Sequence, residues 1–209
     1  MSKTSIAPRK LPTQKRSKET VDRIMSATVS FLEKGGIESV TAINVAKKAE
    51  INVASFYQYF PNKNAVIYAV FQSWLDWVMT IFDSVEKEYY LKISWPDFFL
   101  ILGDAIFKGP FISDRVAAEL LRIMEISPDL KKMNEKHGEA VGLRLAGYLK
   151  GYGSKWDDED LKDIAMCLFH SSNSLFRNAA EQDGKRKQLF MEWSGEMLLN
   201  MTSRCFEEK

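Results

Sequence analysis

Side chains that could contact a nucleic acid are concentrated between residues 41 and 63. A short helix predicted over 53–60 would expose Val53, Ala54, Ser55, Gln58 and Tyr59, with Tyr57 at its edge. Small side chains at the start of a helix let it approach the base edges of a DNA major groove closely. Gln58 has the amide needed for a bidentate contact to adenine, and a solvated side chain is the equal alternative.

The charge of the chain is divided unevenly along its length. Residues 1–63 contain 11 Lys and Arg against 5 Asp and Glu, a charge of +6, whereas the other 146 residues carry 18 against 23, a charge of −5. A basic N-terminal third predicts a polyanionic partner for that part only, with a solvated charged tail as the alternative. Residues 1–16 contain two prolines and no apolar periodicity, which predicts a flexible basic arm. Lys15, Arg16 and Lys18 could bind phosphates or a minor groove there, or serve solubility alone.

Residue types that carry enzymatic or metal chemistry are few. His137 and His170 are the only histidines, and neither lies in a metal-ligand or nucleophile–base pattern. Cys167 and Cys205 are far apart and fit free thiols in a reducing compartment. We therefore predict a cytoplasmic protein that is not an enzyme and binds no cofactor or metal. The apolar stretch 65–82 is interrupted by polar residues, which favours a buried amphipathic helix and no membrane partner.

The elements that must position these residues are helices throughout. Apolar periodicity and break residues predict an all-α chain of about nine helices, over 17–34, 42–49, 53–60, 63–87, 95–107, 113–125, 128–150, 158–181 and 187–206. The double glycine Gly35–Gly36 should end the first helix in a left-handed conformation. Thr41 and Asn52 are the expected N-caps of the next two helices.

The second and third predicted helices form a helix-turn-helix, because only three residues, 50–52, separate them. Such a motif requires small side chains where its helices cross, and Ala46 and Ala49 satisfy this. Bulky apolar side chains must fill the core beneath, and the candidates are Val45, Ile51, Phe56 and Phe60.

The run RIMSATVSFLEKGGIESVTAINVAKKAEINVASFYQYFPNK resembles the N-terminal signature of the TetR family of transcriptional regulators. The matching positions are Arg23, Ile24, Ala27, Gly36, Thr41, Val45, Ala46, Ala49, Ile51, Tyr57, Phe60 and Lys63. Many positions agreeing at fixed spacing make this more specific than a short motif. The resemblance covers about residues 20–65. It implies a helix-turn-helix DNA-binding domain over 17–63 and a larger helical effector-binding and dimerisation domain over 64–209.

The resemblance also implies roles for single residues. Phosphate contacts are expected at Thr41, Ala42 and Lys63, base contacts at Val53, Ala54 and Ser55, and phosphate or thymine-methyl contacts at Tyr57 and Tyr59. Two positions depart from the family pattern, since Glu50 and Ala54 stand where glycine is common. A left-handed Glu50 would cost on the order of 1 kcal/mol. Core packing with hydrated hydroxyl groups is the alternative role for the two tyrosines.

Two apolar patterns in the C-terminal part predict a dimer interface and a ligand pocket. The last two helices carry apolar stripes that would pair with a second copy of the chain, or equally be buried within one subunit. The expected interface residues are Leu161, Leu168, Leu175, Phe190, Trp193 and Met197. Aromatic residues either line an apolar pocket or form an ordinary core: Trp74, Trp77, Phe98, Phe99, Phe107, Phe111, Phe169 and Phe176.

Together these patterns predict a homodimeric repressor that a small hydrophobic effector releases from a palindromic operator in double-stranded DNA. One alternative keeps the DNA binding but places it under a protein partner instead of a small molecule. Activation is a second alternative, because the sign of regulation depends on where the operator lies. An enzyme is the remote third.

Overall fold

The computed structural model describes residues 14–109 and 111–207. Over these residues all regular structure is helical, and nine α-helices are followed by one 3₁₀ turn. The helices are α1 (Lys15–Ser39), α2 (Ala42–Lys48), α3 (Val53–Tyr59), α4 (Lys63–Tyr89), α5 (Trp95–Phe107), α6 (Asp114–Ile126), α7 (Pro128–Gly151), α8 (Asp158–Ala180) and α9 (Gly184–Ser203), with the turn at Arg204–Phe206. The predicted fold class and helix number are confirmed.

The short helices begin at side-chain caps. The Thr41 hydroxyl accepts a hydrogen bond from the Asn44 amide at 3.1 Å, and the Asn52 carboxamide oxygen accepts one from the Ser55 amide at 2.6 Å. Each cap satisfies an amide that has no partner within its own helix. Both predicted N-caps are confirmed.

The first helix differs from its predicted bounds at each end. It begins at Lys15, so the last two residues of the expected arm are helical, and residues 1–13 of that arm lie outside the described residues. The predicted start at residue 17 is two residues too late, because the prolines do not prevent a helix that begins three residues after Pro12. Gly36 breaks the helix as predicted, with φ 64° and ψ −166°, and one further helical turn runs to Ser39.

The described residues form two compact units. Of the described residues, the first unit contains those up to Trp74 together with Arg115–Lys131, and the second contains those of Leu75–Asp114 and those from Lys132 onward. The helix α6, expected in the C-terminal domain, therefore packs almost entirely within the first unit. Its apolar periodicity predicts an amphipathic helix but not the neighbour that covers it.

A polar network joins α4 to α7 within the second unit. Arg144 donates hydrogen bonds to Asp83 Oδ1 and Glu86 Oε2, each at 2.5 Å, and the Tyr148 hydroxyl donates to Glu86 Oε2 at 2.6 Å. The hydrogen bonds from Tyr148 and Arg144 lower the pKa of Glu86 below its ordinary value. The guanidinium also lies 5.4 Å from the centre of the Phe82 ring.

The helix α4 is long and apolar enough, by length and composition, to cross a membrane. Half of its most apolar 18-residue window is buried inside the protein. The core helix of a globular domain has the same composition, and the buried side chains Val66, Val70 and Phe71 show α4 packing in this way.

Candidate nucleic-acid interface

Buried apolar side chains hold α2 and α3 together. Val45, Ala46 and Phe56 are completely buried, and Ala49 and Phe60 nearly so. The Ile51 side chain is only half-buried, although its amide donates a hydrogen bond to the Ala46 carbonyl oxygen at 3.0 Å. The small alanines permit the close helix crossing, as predicted, and the aromatic side chains fill the core.

The turn between these helices has the predicted left-handed conformation. Glu50 has φ 55°, a conformation that favours glycine, and its side chain is exposed. Its amide donates to the Lys47 carbonyl oxygen at 3.2 Å, which satisfies this part of the backbone. The departure from glycine therefore leaves the turn intact and adds a negative charge beside α3.

The exposed face of α3 carries three of the six side chains predicted there. Ala54, Tyr57 and Gln58 are exposed, whereas Val53, Ser55 and Tyr59 are half-buried. The Tyr57 side chain is 43% exposed, and its ring meets the buried Phe56 ring edge-on at 5.5 Å. The core thus supports the ring of a side chain that is 43% exposed.

Other candidate contact residues lie at the start of α2, before α3 in the sequence, and at the start of α4, after it. Thr41 is exposed, and because its oxygen already accepts from Asn44, its hydroxyl proton remains available for an acceptor such as a phosphate oxygen. Ala42 and Lys63 are half-buried. At the start of α4, the Asn62 carboxamide oxygen accepts a hydrogen bond from the Ala65 amide at 2.9 Å.

Ile43 is a candidate contact residue that the sequence analysis missed. It lies on α2, two residues after Thr41, and is 67% exposed although Val45 beside it is buried. The apolar pattern assigns isoleucine to the core. Helical spacing could have indicated this exposure, because Ile43 lies on a different face of α2 from the buried Val45 and Ala49. An exposed branched aliphatic side chain suits a thymine methyl group.

Comparison with known proteins identifies this segment. Residues 24–70 match the family model described as bacterial regulatory proteins, tetR family. Residues 24–70, which contain α2 and α3, are therefore a TetR-family N-terminal segment. The HTH-type transcriptional repressor KstR of Rhodococcus jostii is 44% identical to this chain over 46 residues, which are 22% of each chain. The match thus spans about a fifth of that relative's length.

Solved structures extend the likeness in fold to most of this chain. A TetR-family regulator from Mesorhizobium loti has a TM-score of 0.69 at 15% identity and covers 91% of this chain and 98% of its own. The fatty acid degradation regulator FadR of Bacillus halodurans has a TM-score of 0.61 at 19% identity, with coverages of 86% and 94%. At these identities the likeness concerns the fold alone.

The eight aromatic residues predicted around a pocket do not form one group. Trp74 lies in the first unit, where its ring is 5.8 Å from that of Phe71, and Phe98 is completely buried. Two stacked pairs lie in the second unit: Trp77 with Phe111 at 5.7 Å and Phe107 with Phe176 at 5.0 Å between ring centres. Phe99 is half-buried and Phe169 is buried. A surface depression on α5, lined by Leu100, Ile101, Asp104, Ala105, Lys108 and Gly109, includes none of the eight.

His137 of α7 is half-buried. Its ring centre lies 6.0 Å from that of Phe169, and burial lowers the pKa of His137 to about 4, although Asp76 opposes the shift. The imidazole is therefore neutral at pH 7. Across the described residues, no group of three or more His, Cys, Asp or Glu side chains is placed to hold a metal ion.

The six residues predicted at a dimer interface divide into buried and exposed sets. Leu161 and Leu168 of α8 are buried within the second unit, and Leu175 and Phe190 are half-buried. Trp193 and Met197 of α9 are 52% and 55% exposed. The α9 side chains that are buried are instead the small polar ones, Ser194 and Thr202, whose hydroxyls donate to carbonyl oxygens of their own helix.

Proposed function

We propose that the chain is a sequence-specific DNA-binding transcriptional regulator of the cytoplasm, and that it represses by binding a palindromic operator as a homodimer. The single observation that carries this proposal is the α3 surface. Ala54, Tyr57 and Gln58 are exposed there on a helix that the buried Phe56 and Phe60 fix in place. This surface lies inside the segment that matches the family model.

Three kinds of contact follow from the side chains at this surface. Ala54 at the start of α3 allows close approach to base edges, and Gln58 has the donor and acceptor that adenine requires. Tyr57, Thr41 and Lys63 would position the protein by binding phosphates. The exposed Lys47 and Lys48 at the end of α2 add positive charge to the same unit.

Dimerisation through α9 is the second part of the proposal. Trp193 and Met197 lie one helical turn apart and are each more than half exposed, whereas Ser194 and Thr202 face inward. These two large apolar side chains of α9 are therefore left for a partner surface. A two-fold dimer would present two α3 helices to successive major grooves, about 34 Å apart.

A hydrophobic effector is the third part, and it is supported by the two stacked aromatic pairs of the second unit. Trp77 and Phe111, and likewise Phe107 and Phe176, could separate around an apolar molecule. One structural relative is described as a fatty acid degradation regulator, which is compatible with an apolar effector. Effector binding would favour a dimer whose α3 helices no longer match the groove spacing, with α4 as the lever.

We expect Lys63→Gln to reduce the salt dependence of DNA binding. The logarithm of the affinity for duplex DNA should fall linearly with the logarithm of the salt concentration. Losing one phosphate contact should make that slope less steep by about 1. Lys87→Gln, in the last turn of the same helix, is the matched control and should leave the slope unchanged. Binding that is independent of salt, or equal slopes for the two variants, would contradict the proposed phosphate contact.

A further inference from the structure

The Glu119 carboxylate of α6 lies against the break in α1, within the first unit. One oxygen, Oε1, accepts a hydrogen bond from the Ile37 amide at 3.0 Å. The other, Oε2, lies 3.5 Å from Arg122 Nη1 on the same helix. The Glu119 side chain is only 17% exposed, whereas Arg122 is 59% exposed. The hydrogen bond from the Ile37 amide to Glu119 is therefore better shielded from solvent than the ion pair between Glu119 and Arg122.

The Ile37 amide requires an acceptor because of the break at Gly36. A residue with φ 64° interrupts the regular helical hydrogen bonds, and the following turn begins with amides that lack helical partners. Glu119 supplies the acceptor for the first of them, as a side-chain cap does, but from a helix 82 residues later in the chain. A hydrogen bond to a charged acceptor is stronger than one between neutral groups.

Gly36 also provides the space for this carboxylate. A Cβ atom built at Gly36 would lie 2.7 Å from Glu119 Oε1, closer than such atoms approach. The position therefore needs glycine twice, once for its backbone conformation and once for the side chain packed on it. The missing side chain at Gly36 therefore leaves the space that the Glu119 carboxylate occupies.

The segment held in this way leads directly to the proposed DNA contacts. Only three residues separate Ile37 from Thr41, and the Ser39 hydroxyl bonds back to the Phe31 and Gly36 carbonyl oxygens at 2.8 Å each. The Asn44 side chain donates to the Ser39 carbonyl oxygen at 3.2 Å. Hydrogen bonds thus connect the α1 break to the first turn of α2, and a shift at Ile37 would move Thr41 and Ile43.

We propose that Glu119 is a positioning residue for DNA recognition, which fixes the α1–α2 connection by binding the Ile37 amide. This inference rests on the proposed function and adds to it a residue outside the helix-turn-helix. Glu119→Ala should misplace the α2 contacts while leaving the charge of the DNA-facing surface unchanged. Its effect should therefore fall on sequence-specific binding and not on general attraction to DNA.

The test uses the full chain, a palindromic duplex enriched from random DNA, and a scrambled duplex of the same composition. We expect Glu119→Ala to weaken binding to the palindrome about tenfold, the size of one charge-assisted hydrogen bond, without changing binding to the scrambled duplex. Glu119→Gln keeps an oxygen acceptor and should restore most of the affinity. Glu125→Ala, an exposed acid on the same helix, is the matched control and should resemble the wild type.

Hydrogen exchange without DNA provides the second readout. The amides of residues 37–41 should exchange faster in Glu119→Ala, and also in Gly36→Ala, but not in Glu125→Ala. Unchanged exchange, or unchanged affinity for the palindrome, would overturn the inference while leaving the proposed function intact. An equal loss on both duplexes would overturn it as well, since general destabilisation has that effect. If the wild type prefers no duplex, the proposed function fails and this inference fails with it.

Discussion

Replacing Trp193 and Met197 together by glutamate is expected to convert the protein from a dimer to a monomer and to weaken binding to palindromic DNA at least a hundredfold. Both side chains are more than half exposed on α9 and lie one turn apart. A two-fold interface would bring four new carboxylates together in a desolvated region, where like charges repel strongly. Sedimentation velocity would report the mass, and fluorescence anisotropy the affinity.

The matched control for this variant is Leu143→Glu on α7. Leu143 is 59% exposed and lies outside the proposed interface, so this variant should remain a dimer with unchanged affinity. Leu161 and Leu168 are unsuitable for the test, because they are buried within the subunit and charge there would unfold it. A double variant that remains dimeric would contradict the α9 interface.

Phe56→Ala is expected to lower the free energy of unfolding of the first unit by about 3–5 kcal/mol. The side chain is completely buried, and its ring lies 5.5 Å from Tyr57 and 5.9 Å from Phe60, so truncation leaves a cavity beneath α3. DNA binding should be lost along with the helix. Denaturant unfolding monitored by circular dichroism would measure the change.

Tyr57→Phe is the matched comparison, because it removes only the hydroxyl group of the neighbouring residue, whose side chain is 43% exposed. Its free energy of unfolding should stay within about 0.5 kcal/mol of the wild type, as is usual for surface substitutions, while its DNA affinity falls. Equal stability of Phe56→Ala and the wild type would contradict the described core. A Tyr57→Phe variant that keeps the full DNA affinity of the wild type would contradict the proposed phosphate contact of that hydroxyl group.

Local features of the fold could be predicted because they depend on neighbouring residues. Thr41 and Asn52 cap their helices as expected, since a cap needs only a side chain within three residues of an amide. Gly36 breaks α1 for an equally local reason, the freedom of glycine at positive φ. The family match over residues 24–70 covers the segment that contains both caps and the Gly36 break.

Features that depend on distant neighbours could not be predicted. Glu119 looks like any acid on an amphipathic helix, and its partner Ile37 is 82 residues away. The apolar stripe of α9 predicts burial without saying whether the same chain or a second copy provides it. The structure turns Ser194 and Thr202 inward and leaves Trp193 exposed. The aromatic residues likewise indicate an apolar interior, but not which of them pair.

The most direct test of the central claim is selection of binding sites from random duplex DNA at a stated salt concentration. Wild-type protein and a Tyr57→Ala, Lys63→Ala double variant would be compared in parallel. We predict that the wild type enriches a palindrome and that the double variant loses the enrichment. Absence of any enriched sequence, with equally weak binding by both proteins, would contradict the proposal that α3 reads DNA.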